Sequence, residues 1–109
     1  MGHRDRVGIF ELEVLSAVHR LRDNAYGVPV KEELEKHTKR TISTGSLYVT
    51  LDRLEDKGLL TSWEGDPTPE RGGRPKRFYK LTAAGVRALS EARVGLVSLW
   101  NLKPTRVPA

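Results

Sequence analysis

The chain contains no cysteine. That absence excludes a disulfide framework, a thiolate zinc site and a cysteine nucleophile, and it suits a reducing cytoplasm. The three histidines, His3, His19 and His37, are far apart and form no ligand-spaced pair of the HExxH kind, so no metal ligand set is expected. A glycine-rich phosphate loop and a dinucleotide fingerprint are also missing, which leaves catalysis and cofactor binding without a motif. Long apolar runs are absent too. The opening MGHRDRVG lacks the apolar centre of a signal peptide, and the apolar stretch near the end is interrupted by Arg87, Glu91 and Arg93, so neither secretion nor a membrane span is expected.

What is present is ordinary in amount and uneven in placement. A length of 109 residues suffices for about one domain, so function must come from one small core or from that core duplicated by oligomerisation. With 38% hydrophobic and 30% charged residues the composition is that of a folded, soluble chain rather than a disordered one. The net charge of +5 is distributed as +1 over residues 1–40, −3 over 41–66, +4 over 67–80 and +3 over 81–109. Positive charge gathered in one loop and in the tail reads as a footprint for a polyanion.

Hydrophobic spacing supplies the elements. Between Gly8 and Arg22, Phe10, Val14, Ala17, Val18 and Leu21 recur at helical intervals, and Ile9, Leu12 and Leu15 widen the stripe into a helix buried on more than one side. DNAYG breaks it, with Asn24 and Gly27 as turn formers and Gly27 free to take positive φ. A second helix is expected from Pro29 to about Thr38, with Val30 and Leu34 inward, and with acids early and bases late as the helix dipole prefers. Ser43 or Thr44 can cap a third, whose Leu47, Leu51 and Leu54 stripe ends at Gly58. Three short, tightly joined helices suggest a helix-turn-helix core. LLTSWE and KRFYKL then read as two strands around a basic loop, and Thr82 as the cap of a last helix from Ala83 to about Leu102. The fold class is therefore mainly α with a small β-hairpin: a winged helix-turn-helix over residues 1–82, then a C-terminal dimerisation helix and tail over 83–109.

Two features carry the chemistry. With its leucine stripe turned inward, the third helix leaves Ser43, Thr44, Ser46, Tyr48, Val49 and Arg53 on or near the outside. Short hydroxyl residues with Gly45 at a helix start let backbone N–H groups and the positive dipole end approach phosphate, and Val49 suits a thymine methyl. The blander account has Ser43 and Thr44 only capping and Tyr48 packing on a neighbour. The acids Asp52, Glu55 and Asp56 repel phosphate and are expected to turn away from a duplex. In the loop, Arg71, Arg74, Lys76 and Arg77 can engage adjacent phosphates, and Gly72 and Gly73 let the backbone come near. Trp63, Phe78 and Tyr79 read as core, with one of the last two inward and the other partly exposed.

The last helix is apolar on two stripes. Val86, Leu89, Leu96 and Trp100 form one, and Gly85, Ala88, Ala92, Gly95, Leu99 and Leu102 the other, more than one small domain can cover, so a partner chain is expected along Val86, Leu89, Leu96, Leu99 and Trp100.

TGSLYVTLDRLEDKGLLTS followed by GGRPKRFYKLTAAGVRAL resembles the PadR family of bacterial transcriptional regulators, and NAYGVPVKEEL resembles its first helix-turn element, over roughly residues 8 to 92. The resemblance implies a winged helix and a homodimeric repressor of the short branch with a single C-terminal helix. It also implies a bacterial cytoplasmic protein that binds double-stranded DNA at a pseudo-palindromic operator. Some members of that branch bind flat hydrophobic compounds between the paired helices, which offers an effector pocket at Trp100 beside simple interface packing. Val49 departs from the proline that many members carry after the tyrosine. Two rivals stand beside this reading: a winged-helix protein-interaction adaptor, which has no need of a cationic loop, and a ligand sensor with incidental DNA affinity.

Overall fold

The computed structural model describes residues 6–65 and 76–101. Its elements follow the expected order: α1 (Ile9–Leu21), a 3-10 turn (Arg22–Asn24), α2 (Gly27–Thr38), α3 (Thr44–Asp56), β1 (Leu60–Glu64), β2 (Arg77–Leu81) and α4 (Ala83–Trp100). The core draws on residues that helical spacing singled out, with one correction: Ile9, read into the buried stripe of α1, is 78% exposed because it opens the helix at its N-terminal end. Val14, Leu15 and Val18 of α1 meet Val30 and Leu34 of α2 and Leu47, Leu51 and Leu54 of α3, with Leu59, Leu60, Tyr79 and Leu81 closing the wing side. Each large aliphatic side chain buried here contributes about 1.5–3 kcal/mol relative to exposure.

The start of α2 differs from the expectation. Tyr26 is its N-cap and Gly27 its first residue, so Pro29 falls on the third helical position, where a missing N–H still costs nothing. Positive φ is not what Gly27 supplies, since Gly58 is the glycine with positive φ among the described residues. Gly27 supplies space: a Cβ there would fall 1.8 Å from the Tyr48 hydroxyl oxygen. The α2–α3 turn is fastened locally. Lys39 takes a left-handed φ of 60° and donates its N–H to the Glu35 carbonyl at 3.0 Å. The Glu35 carboxylate accepts the Ile42 N–H at 2.9 Å and Lys31 Nζ at 3.0 Å, bonds that hold its carboxyl below the usual carboxylate range.

A second fastening joins the start of α1 to the end of α3. Lys57 Nζ donates to both Glu11 oxygens, at 2.7 and 2.9 Å, and to the Arg6 carbonyl at 2.6 Å, while the Gly8 N–H donates to Glu11 Oε1 at 2.8 Å. Burial by itself raises the Glu11 carboxyl; the hydrogen bonds from Lys57 and Gly8, with the charges of Lys57 and Arg53, outweigh it and leave the pKa lowered. A carboxyl depressed by folding contributes stability that is full above its unfolded pKa, about 4.3, and is lost as pH falls through the lower folded value. Glu11→Gln is therefore expected to cost about 1–3 kcal/mol at pH 7. Thermal unfolding checks this: the gap between variant and parent should close as pH drops toward 3.

The hairpin is antiparallel, pairing Leu60 with Leu81, Ser62 with Tyr79 and Trp63 with Phe78. It is bonded to the helical core, because the Tyr79 N–H donates to the Ala25 carbonyl at 2.8 Å and Tyr26 bridges Phe78. Tyr79 is the inward neighbour and Phe78 is half-buried. Burial raises the Tyr79 phenol, and the nearby Asp52 carboxylate adds to the effect.

Trp63, expected in the core, is 45% exposed. Strand alternation puts Leu60 and Leu81, with Ser62 and Tyr79, toward the helices, and Trp63 on the other face of a two-stranded ribbon. It stacks on Phe78 at 6.0 Å, and Phe78 meets the Tyr26 ring edge-on at 5.3 Å.

α4 follows β2, and its start is bonded to the segment that closes α3. Thr82 Oγ1 accepts the Gly85 N–H at 3.0 Å and donates to the Gly58 carbonyl at 2.7 Å, and the Thr82 N–H donates to the Leu59 carbonyl at 3.0 Å. Ala84, Ala88 and Leu89 pack partly on the core and Gly85 is buried. Beyond Ala92 every described residue of the helix is exposed, including Leu96 at 66%, Leu99 at 69% and Trp100 at 88%. Leu89 thus packs partly on its own domain, whereas Leu96, Leu99 and Trp100 do not. Leu102 lies outside the described residues.

Candidate nucleic-acid interface

The interface is built on α3. Ser43 is its N-cap, with Oγ accepting the Ser46 N–H at 3.1 Å, so the capping account of this residue holds. Thr44, Gly45 and Ser46 follow on the exposed first turn, and Val49 is 54% exposed one turn later. Thr50, by contrast, is buried and donates to the Ser46 carbonyl at 2.8 Å. The result is a small, uncharged, hydroxyl-rich surface at the positive end of a helix dipole, shaped for close approach of a duplex. Tyr48 is exposed, but its hydroxyl group rests against Gly27, so it also fixes how α3 leans on α2.

The acids divide. Glu55 turns to the wing and accepts a bond from Ser62 Oγ at 2.7 Å, as expected of a carboxylate kept from phosphate. Asp52 and Asp56 do not turn away. They are exposed and continue the Gly45–Val49 stripe at steps of three and four, because a stripe opposite Leu47, Leu51 and Leu54 includes them. The uncharged part of this face is thereby confined to the N-terminal half of α3, the half that contacts base edges in helix-turn-helix proteins. Arg53, the cation of this helix, is exposed.

Arg40, one of the late bases that the sequence assigns to the second helix, lines an open cleft with Phe10, Thr41, Ile42, Ser43 and Ser46 at the start of α3 and is a further candidate. Glu13 of α1 holds it in place through Nη2 at 2.9 Å, a hydrogen bond that raises the guanidinium pKa. The only available signal was its position three residues before the cap, and charge placement alone did not distinguish it.

The wing base is described and its tip is not. Lys76 Nζ lies 4.6 Å from the centre of the Tyr26 ring, a cation–π contact, and Arg77 stands 3.8 Å from Glu64 across the hairpin. The Tyr79–Ala25 bond holds β2 against the connector between α1 and α2. Arg71, Gly72, Gly73 and Arg74 lie outside the described residues.

The family model of the transcriptional regulator PadR-like family matches residues 14–91, a span from the middle of α1 into α4. The chain belongs to the PadR-like family. A relative by sequence is Transcriptional regulator Rv3488 of Mycobacterium tuberculosis, 41% identical over 86 residues that cover 78% of this chain and 76% of that one. Among solved structures, a PadR-like transcription factor from Bacteroides fragilis superposes with a TM-score of 0.70 at 26% identity, covering 84% of each chain. The complex structure of hsRosR-S4, RosR being a protein of H. salinarum, gives a TM-score of 0.71 at 25% identity and covers 93% of this chain and 81% of that one. The fold of a PadR-like regulator, a winged helix with its hairpin after α3, is thus present here, and the protein is a DNA-binding transcriptional regulator. Among the described residues no helix is long and apolar enough to cross a membrane.

Proposed function

We propose that this PadR-like protein is a homodimeric, cytoplasmic repressor that reads a pseudo-palindromic DNA site. Residues 1–82 form the DNA-binding unit, and 83–109 the dimerising helix and tail. Each α3 enters a major groove with Ser43, Thr44, Gly45, Ser46, Tyr48 and Val49, and Arg53 and Arg40 flank it. Each wing grips neighbouring phosphates through Arg71, Arg74, Lys76 and Arg77, with Gly72 and Gly73 allowing close approach. Val86, Leu96, Leu99 and Trp100 join the subunits, with half-sites about 10 base pairs apart. The observation that supports this best is the pairing of an exposed, uncharged α3 start with an α4 whose apolar second half none of the described residues covers. Trp100, at the end of that half, is the candidate wall of a pocket for a flat hydrophobic effector, which would act by changing the angle between the two heads.

The test is selection of bound fragments from the source genome by the purified protein, followed by reporter assays of the adjoining promoters. Fragments sharing an inverted repeat, and a reporter that rises when the protein is absent, are the expected results. Failure to enrich any sequence would leave the adaptor reading in its place. Val49→Ala is expected to relax discrimination at a single base pair by about 1 kcal/mol, without altering the salt dependence. Competition among singly substituted duplexes measures it.

A further inference from the structure

The junction between α3 and α4 contains a contact that a side chain would break. Gly85, in the first turn of α4, lies so close to the backbone after α3 that an added Cβ would stand 2.1 Å from the Leu59 carbonyl oxygen and 3.1 Å from the Leu59 carbonyl carbon. The neighbour is main chain, held by the Thr82 N–H on the same oxygen and by Thr82 Oγ1 on the Gly58 carbonyl, so it has no flexible end to yield. Gly58, at φ 77°, closes α3 through its N–H on the Glu55 carbonyl at 2.9 Å. The end of the reading helix and the start of α4 are therefore one hydrogen-bonded joint. Gly95, ten residues along the same helix, has nothing of its own chain within 4 Å of a Cβ, so within one subunit the close approach belongs to the joint.

We propose that Gly85, by letting α4 seat on the Leu59 carbonyl, fixes the angle between α4 and α3 and thereby sets the half-site spacing the dimer accepts. This rests on the reading of α4 as the dimerising helix. A methyl group at Gly85 must retreat by about 1 Å before its distance to the Leu59 oxygen passes 3.0 Å, the closest that a Cβ comes. Over the roughly 5 Å of one helical turn that is a tilt of about 10°, and at the far end of an 18-residue helix, about 27 Å long, it becomes about 5 Å. Both subunits carry the change, so the two α3 helices shift relative to each other by an amount the DNA repeat registers.

The absence of cysteine makes the measurement direct, since one introduced thiol is a unique label site. Asp56→Cys, exposed at the end of α3, carries a spin label, and the label-to-label distance is measured in full-length protein with Gly85 and with Gly85→Ala. The expected result is a mean displaced by several ångströms in Gly85→Ala relative to the parent, and an unchanged dimer mass in both. Random-duplex selection with Gly85→Ala should then return half-sites at an altered spacing. Thr82→Ala loosens the joint without adding bulk, and it should broaden the distance distribution even where Gly85→Ala folds poorly. An unchanged distance in a dimeric Gly85→Ala, an unchanged spacing despite a changed distance, or a Thr82→Ala distribution as narrow as the parent's overturns the proposal. A parent that shows no label-to-label coupling and a monomer mass overturns the dimer reading instead, and the joint's role in spacing falls with it.

Discussion

Leu96→Glu combined with Leu99→Glu is expected to give a folded monomer whose duplex affinity is lower by about a hundredfold or more. The two leucines are 66% and 69% exposed within their own chain, so charge there costs the isolated subunit almost nothing and circular dichroism and melting should change little. In a paired helix the same charges would be buried without partners, a penalty large enough to separate the subunits. The affinity loss follows because two linked reading heads hold a duplex with an effective concentration that a single head lacks, a gain of about 10² to 10⁴. Sedimentation gives the mass and a gel shift the affinity. A double variant that remains dimeric would remove α4 from the interface.

The second large effect concerns the wing. Replacing Arg71, Arg74, Lys76 and Arg77 by alanine should leave the helical core intact and flatten the dependence of affinity on salt by about 0.9 in log–log slope for each phosphate the wing ceases to neutralise. Lys76 is engaged with the Tyr26 ring and Arg77 stands near Glu64, so each already has a partner in the free protein. Lys76→Ala with Arg77→Ala is therefore expected to remove less than about 0.9 of slope per residue. Fluorescence anisotropy over a salt series reads both, and a slope that is the same for the parent and the fourfold variant would reject the wing as a phosphate grip.

Features carried by short-range chemistry can be read directly from the sequence. Ser43 and Thr82 announce helix starts through their side-chain oxygens, Gly58 announces a helix end, and the leucines of α3 lie one or two turns apart. What was not legible depends on residues far apart in the chain. Glu11 and Lys57 are separated by 46 positions, and no local pattern links them. Gly27 looked like a turn former because glycine usually is one; its actual task, making room for the Tyr48 hydroxyl, is set by the packing of α2 against α3. Trp63 looked buried because tryptophan usually is, but a two-stranded ribbon has one uncovered face. At the candidate site the hydroxyl-rich start of α3 was legible from capping chemistry. The outward placement of Asp52 and Asp56 follows from helical phase, which their position late in the helix does not change.

The bond from the Tyr79 N–H to the Ala25 carbonyl has a mechanical consequence. It ties the second wing strand to the connector between α1 and α2, and the hydrogen bonds of Thr82 tie that strand's far end to the close of α3. Among the described residues β2 is thus braced at both ends. In the proposed dimer, a chemical signal would then act as a fulcrum, where one such braced lever meets the other.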